Sequence, residues 1–198
     1  MSTTNESAER TTALKDRLTH SFPVVWDQLD ETELAAVYEL GERYKAFITK
    51  GKTERLCAEE ILRAAKSHGY LDMDALDSGY KPKPGDKLYR VTRDKALVML
   101  IIGEVALESG MHIVGSHIDS PRLDLKPLPV YEESDMAFLK THYYGGVKKY
   151  QWTSLPLALI GIARKANGEL VEIRIGETPD DPVLIITDLL PHLAKDQV

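Results

Sequence analysis

The stretch Val114-Gly115-Ser116-His117-Ile118-Asp119-Ser120-Pro121 carries an apolar run straight into a His-x-Asp pair and then a turn. An imidazole at a strand's end can bind zinc through one ring nitrogen while a nearby carboxylate holds the ring's orientation and tautomer. His117 is therefore the candidate metal ligand, and Asp119 the candidate catalytic carboxylate, acting by orienting that ligand. Taken alone, a His-x-Asp pair is more often a satisfied structural pair than a metal site. A hydrolytic zinc centre also needs several ligands and a general base, and no obvious remainder of one follows in the sequence. The pair reads as one part of a metalloenzyme.

Other residues capable of chemistry have plainer readings. Glu177-Thr178-Pro179-Asp180-Asp181-Pro182 reads as an acidic surface loop rather than a metal cluster. His142, followed by Tyr143, Tyr144 and two glycines, can bind substrate or pin a β-corner, and it stays outside the catalytic set. Lys148-Lys149 with Tyr150 and Trp152 reads as an interface or a solvent-facing strand, because two lysines are too few to track a phosphate backbone. Cys57 sits in a helical pattern and reads as a small buried residue rather than a reactive thiol.

Several elements must position these groups. Leu14 and Leu18 are spaced one helical turn apart in an otherwise polar start. Asp30 to Lys50 has apolar residues at helical spacing, with Asp30 and Glu33 as a capping pair and Gly51 as a stop. A second helix starts near Thr53, ends near Gly69, and has Leu56, Ile61, Leu62 and Ala65 on its apolar side. Lys81-Pro82-Lys83-Pro84-Gly85-Asp86 is a hinge into β structure, because proline fixes φ and lacks a donor. Leu88–Thr92, Ala96–Ile102 and His112–Gly115 read as consecutive strands, the last two apolar on both faces and so expected in a covered sheet. Beyond Pro129, Ser154–Ala163 and Leu170–Ile175 read as strands around an Asn167-Gly168 turn. The simplest organisation is an α/β portion over 1–129 and a β-rich portion over 130–198.

Composition narrows the function classes. The 198 residues, 43% of them hydrophobic, can bury a core as one large domain or two small ones. A net charge of −6 with scattered Lys and Arg leaves no footprint for nucleic acid, so no such partner is expected. Met1 to Arg10 is polar, without the apolar core of a secretory signal. The longest apolar run, Ala96–Gly103, is too short to span a bilayer, and no membrane association is expected. One cysteine suits a reducing cytoplasm.

The order His117-Ile118-Asp119-Ser120-Pro121-Arg122-Leu123, with Lys126 following, resembles the aspartyl aminopeptidase and aminopeptidase I family of zinc metallopeptidases. Gly85-Asp86-Lys87-Leu88-Tyr89, Lys140-Thr141-His142-Tyr143-Tyr144-Gly145-Gly146, Lys148-Lys149-Tyr150-Gln151-Trp152 and Asp188-Leu189-Leu190-Pro191-His192-Leu193-Ala194 look like its bacterial branch. The resemblance runs from about Trp26 onward. It implies an α/β fold: the N-terminal part of a zinc-exopeptidase-like catalytic domain over 1–129, followed over 130–198 by a β-rich dimerisation domain, incomplete by that comparison. It further implies a cytoplasmic homo-oligomer, dodecameric in the complete enzyme, that removes N-terminal amino acids from peptide substrates.

The family's two zinc ions share a bridging aspartate and a bridging water, with a glutamate as general base. By position, His117 looks like a ligand to one zinc and Asp119 like the carboxylate orienting it. In the family the other ligands and the general base come after the dimerisation domain, which makes this chain an N-terminal fragment expected to be inactive alone. The alternative is a catalytically inert assembly or binding subunit. Some relatives also use a histidine one turn after the Pro-His-Leu-Ala segment to reach a neighbouring active site; here that position is Asp196, and His192 itself reads as structural.

Overall fold

The computed structural model describes residues 3–20 and 22–195. They divide into two compact units, 1–49 and 50–198. The first holds α1 (Thr3–Leu18) and most of α2 (Glu31–Lys50). The capping pair at the start of α2 forms as the sequence implies. Glu33 N–H donates to Asp30 Oδ1 at 2.8 Å and Asp30 N–H donates to Glu33 Oε2 at 3.0 Å, so two amides with no intrahelical acceptor are satisfied reciprocally.

In the second unit, α3 (Glu54–Ser67) is capped by Thr53, whose side chain accepts from Leu56 N–H at 3.3 Å. It is followed by Gly69 at φ +79°, a left-handed position that favours glycine. Its inner face buries Leu56, Cys57, Ala58 and Ala65, which with Leu88 and Tyr89 form the buried core among the described residues. Cys57 Sγ lies 3.0 Å from Gly51 O, and burial pushes its thiol up in pKa. That is the inert thiol the helical pattern suggests.

The hinge before the sheet is organised by Asp86, which accepts from Tyr80 O–H at 2.6 Å and Lys83 N–H at 2.7 Å. The Tyr80 hydroxyl, then the Lys83 amide, hold its carboxyl below the usual range. A three-stranded sheet follows in the order β1 (Leu71–Asp72), β2 (Lys87–Thr92), β3 (Ala96–Ile101). The β1–β2 pair is parallel and β2–β3 antiparallel.

His112–Gly115 is not a strand: the segment is irregular, with Ile113 79% and Val114 98% exposed. A run that is apolar on both faces becomes a strand when it has sheet neighbours and covering layers. Among the described residues nothing pairs with it, and β3 has only β2 beside it. The covered sheet expected from Ala96–Ile102 is absent for the same reason, and Val98 and Ile101 face solvent.

Two further hairpins follow. The first, β4 (Arg122–Glu133) with β5 (Met136–Tyr144), turns at Ser134-Asp135, both at positive φ as a two-residue hairpin turn requires. β4 runs through position 129, and its register shifts between Leu125 and Val130. Pro127 and Pro129 have no amide to give the ladder there, and Leu128 sits at φ +53°. The second hairpin, β6 (Leu159–Arg164) with β7 (Leu170–Ile175), has the alternating burial expected of β7 and Gly168 at φ +87° in its turn. β6 starts five residues later than the apolar run suggests, after Pro156, with Leu157 making only an isolated bridge to Leu184.

The loop after β7 depends on Gly176, at φ +93°, where an added Cβ would lie 2.9 Å from Leu157 O. Gly176→Ala is expected to destabilise the chain by about 2 kcal/mol, through left-handed strain and backbone collision. Urea unfolding should show a lowered midpoint; an unchanged midpoint would contradict this packing. Asp181 Oδ2 accepts from the Gly176, Glu177 and Thr178 amides, each at 3.0 Å, and the Thr178 amide leads in lowering its pKa. The acidic stretch is thus a loop closed on its own backbone.

Candidate metal centre

His117 and Asp119 lie between the irregular 112–116 segment and β4. His117 Nδ1 is 3.2 Å from Asp119 Oδ1 and 3.1 Å from the Asp119 carbonyl oxygen. Both neighbours are acceptors, so in the neutral ring Nδ1 carries the hydrogen and Nε2 keeps its lone pair. The side chain is 85% exposed, so the ring is open to a ligand. Asp119 engages through both oxygens, Oδ2 accepting from Tyr144 O–H at 2.8 Å. That hydroxyl is the main cause lowering the Asp119 carboxyl, and the same bond raises the Tyr144 phenol.

Tyr144 is held in turn by Arg122, its register partner across the β4–β5 ladder. The guanidinium lies 4.0 Å from the ring centroid. Arg122 Nε donates to Asp124 Oδ1 at 2.7 Å, and its Nη1 forms an ion pair with Glu54 Oε2 at 3.3 Å, outside good hydrogen-bond geometry. Neither Tyr144 nor Arg122 stands out in the sequence as a site residue. Their relation depends on the β4–β5 register, which proline-broken β4 conceals.

Among the described residues the other candidates show no hydrogen bond or ion pair to this network. His142 is on β5 opposite Asp124, with Nδ1 3.2 Å from Tyr143 O. His192 is exposed in a turn near the end of the described residues, and Asp196 lies outside them. Lys149–Gln151 is a short 3-10 turn rather than a strand, with the Gln151 amide donating to the Lys148 carbonyl and the Trp152 amide to that of Lys149. Among the described residues no group of three or more His, Cys, Asp or Glu side chains is arranged to hold a metal ion. A neutral imidazole with a free Nε2 suits zinc, so His117 fits as one donor of a larger set.

The profile of the Aminopeptidase I zinc metalloprotease (M18) family matches residues 47–198. A probable M18 family aminopeptidase 1 from Clostridium acetobutylicum is 48% identical over 174 residues, which cover 87% of this chain and 37% of that protein. One from Borreliella burgdorferi is 45% identical over 170 residues, covering 86% of this chain and 36% of that protein. Among solved structures, aminopeptidase I from Borrelia burgdorferi B31 superposes with a TM-score of 0.78 at 44% identity, covering 84% of this chain and 40% of that chain. Aminopeptidase I from Clostridium acetobutylicum superposes with a TM-score of 0.77 at 47% identity, covering 91% and 40%. The chain therefore spans little more than a third of the length of these curated relatives. Its mixed α/β architecture, and a family match over most of its residues, make it a member of the M18 family of zinc metalloproteases.

Proposed function

We propose that this chain supplies part of the metal centre of a zinc-dependent aminopeptidase, with His117 as a ligand and Asp119 as the carboxylate that orients it. The observation that carries the reading is the His117 ring: Nδ1 faces two acceptors and Nε2 stays open. Zinc, when bound, supplies Lewis acidity at the scissile carbonyl and makes water nucleophilic near neutral pH. Asp119 keeps the imidazole hydrogen at Nδ1, so the other nitrogen remains a lone-pair donor. Tyr144 occupies the second carboxylate oxygen and keeps Asp119 from turning away.

The same reading includes two zinc ions in the complete enzyme, peptide substrates cleaved at their N-terminus, a dimerisation role for residues 130–198, and a homo-oligomeric enzyme. A solved relative, the yeast mApe1 structure, is described as a dodecamer, and we extend that assembly to the complete enzyme here. A cytoplasmic location accords with the single, buried Cys57. One imidazole leaves most coordination positions open, so the 198-residue chain by itself should bind zinc weakly and lack peptidase activity.

The test is a chimera in which this chain replaces the matching part of the Clostridium acetobutylicum relative. The chimera should load two zinc ions per protomer and hydrolyse aminoacyl nitroanilides, while the 198-residue chain should retain substoichiometric zinc after dialysis. Tight two-zinc binding by the chain alone would contradict the incomplete ligand set. A folded, zinc-loaded chimera without hydrolysis would sink the peptidase reading. Inactive co-assembly of the chain with the full-length relative would then favour the inert assembly subunit.

A further inference from the structure

Asp119 can orient His117 only if it is itself held, since its side chain is 39% exposed and free to rotate in water. One hydrogen bond joins its loop to the end of β5: Tyr144 O–H donates to Asp119 Oδ2 at 2.8 Å. Tyr144 is fixed from its other side by the Arg122 guanidinium over its ring, and Arg122 by Asp124 and Glu54. The brace thus runs from the first turn of α3, through a cross-strand pair, to the imidazole.

We propose that Tyr144 is a positioning residue for the His117 ring, acting through Asp119, and that Arg122 keeps Tyr144 in that pose. The proposal rests on the reading of His117 as a ligand only for its consequence in metal binding. Its structural content, control of the ring tautomer, stands apart from any metal. With Oδ2 occupied by the phenol, Oδ1 remains aimed at Nδ1 and selects the Nδ1–H form. Without the phenol the carboxylate can turn, leaving the Asp119 carbonyl oxygen as the one remaining acceptor at Nδ1, and the balance shifts toward the Nε2–H form, whose hydrogen blocks the nitrogen a metal needs.

The test is magic-angle-spinning NMR of the 198-residue chain labelled with 15N-histidine, which tolerates self-association. Spectra are taken at about pH 8.5, above the ordinary imidazole range. The His117 signal is identified by its loss in His117→Gln. In Tyr144→Phe, with far-UV circular dichroism unchanged, the Nδ1–H to Nε2–H ratio should fall about fivefold, as expected for loss of one hydrogen bond. Zinc affinity, read by chelator competition, should weaken about tenfold. An unchanged ratio in the folded variant overturns the proposal. Should Tyr144→Phe not fold, Arg122→Gln decides: a fall of about twofold in the ratio supports the brace, at the low end of a hydrogen bond's worth, and no change overturns it. A wild-type ring whose Nε2 shift ignores added zinc, beside a changed ratio in the variant, would sink the ligand reading and leave the brace standing.

Discussion

Alanine at position 117 should lower the peptidase turnover of the chimera by at least about a hundredfold, more than the loss of an outer-shell partner costs. The expectation follows from where the ring stands. His117 is exposed, its hydrogen bonds among the described residues are to Asp119, and it fills no core position. Removing it should therefore change the unfolding free energy by no more than about 0.5 kcal/mol. A large loss of turnover in an unchanged fold separates a metal ligand from a structural histidine. Zinc content, measured by mass spectrometry on the purified variant, should drop along with turnover. Asp119→Asn should fall between wild type and His117→Ala, because an amide can present its nitrogen instead of the oxygen and leave the imidazole only the residue 119 carbonyl as acceptor. Normal turnover with full zinc in His117→Ala would end the ligand assignment.

The His-x-Asp pair was legible in the sequence because its chemistry is local: two residues apart on one segment, the ring and the carboxylate meet without help from the rest of the fold. The helix caps were legible for the same reason, Asp30 with Glu33 and Thr53 with Leu56 being neighbours within one turn. The β6–β7 hairpin was nearly so, since alternation and Asn167-Gly168 fix both strands and turn. What the sequence concealed was non-local. Tyr144 lies 25 residues from Asp119, and their bond depends on a hairpin whose first strand contains two prolines. Its Ser134-Asp135 turn also lacks the Asn-Gly signal that usually marks such hairpins. The irregular path of His112–Gly115 has the opposite origin. Its residues favour a strand, but a ladder needs a partner, and local preference cannot supply one.

That unpartnered segment governs the behaviour expected of the 198-residue chain in solution. β3 shows its free edge among the described residues, and Val98, Ile101, Ile113 and Val114 place apolar side chains in water along the same stretch of sequence. An exposed edge with apolar residues is a template for pairing with another chain, and no lysine or proline interrupts Ala96–Ile101. The chain should therefore self-associate as its concentration rises, with sedimentation equilibrium giving an average mass several times that of the 22.2 kDa monomer. Val98→Lys places a charge on this strand. It should shift the average mass toward the monomer without changing helix content, because Val98 is already 57% exposed and contributes little to the core. In the chimera the same substitution should do harm instead, if residues from the relative cover β3, since a lysine would then be buried without a partner. Solubilised chain and destabilised chimera together would identify this edge as a surface that the chimera buries. A wild-type chain that stays monomeric at high concentration would show that the exposed apolar residues do not drive association.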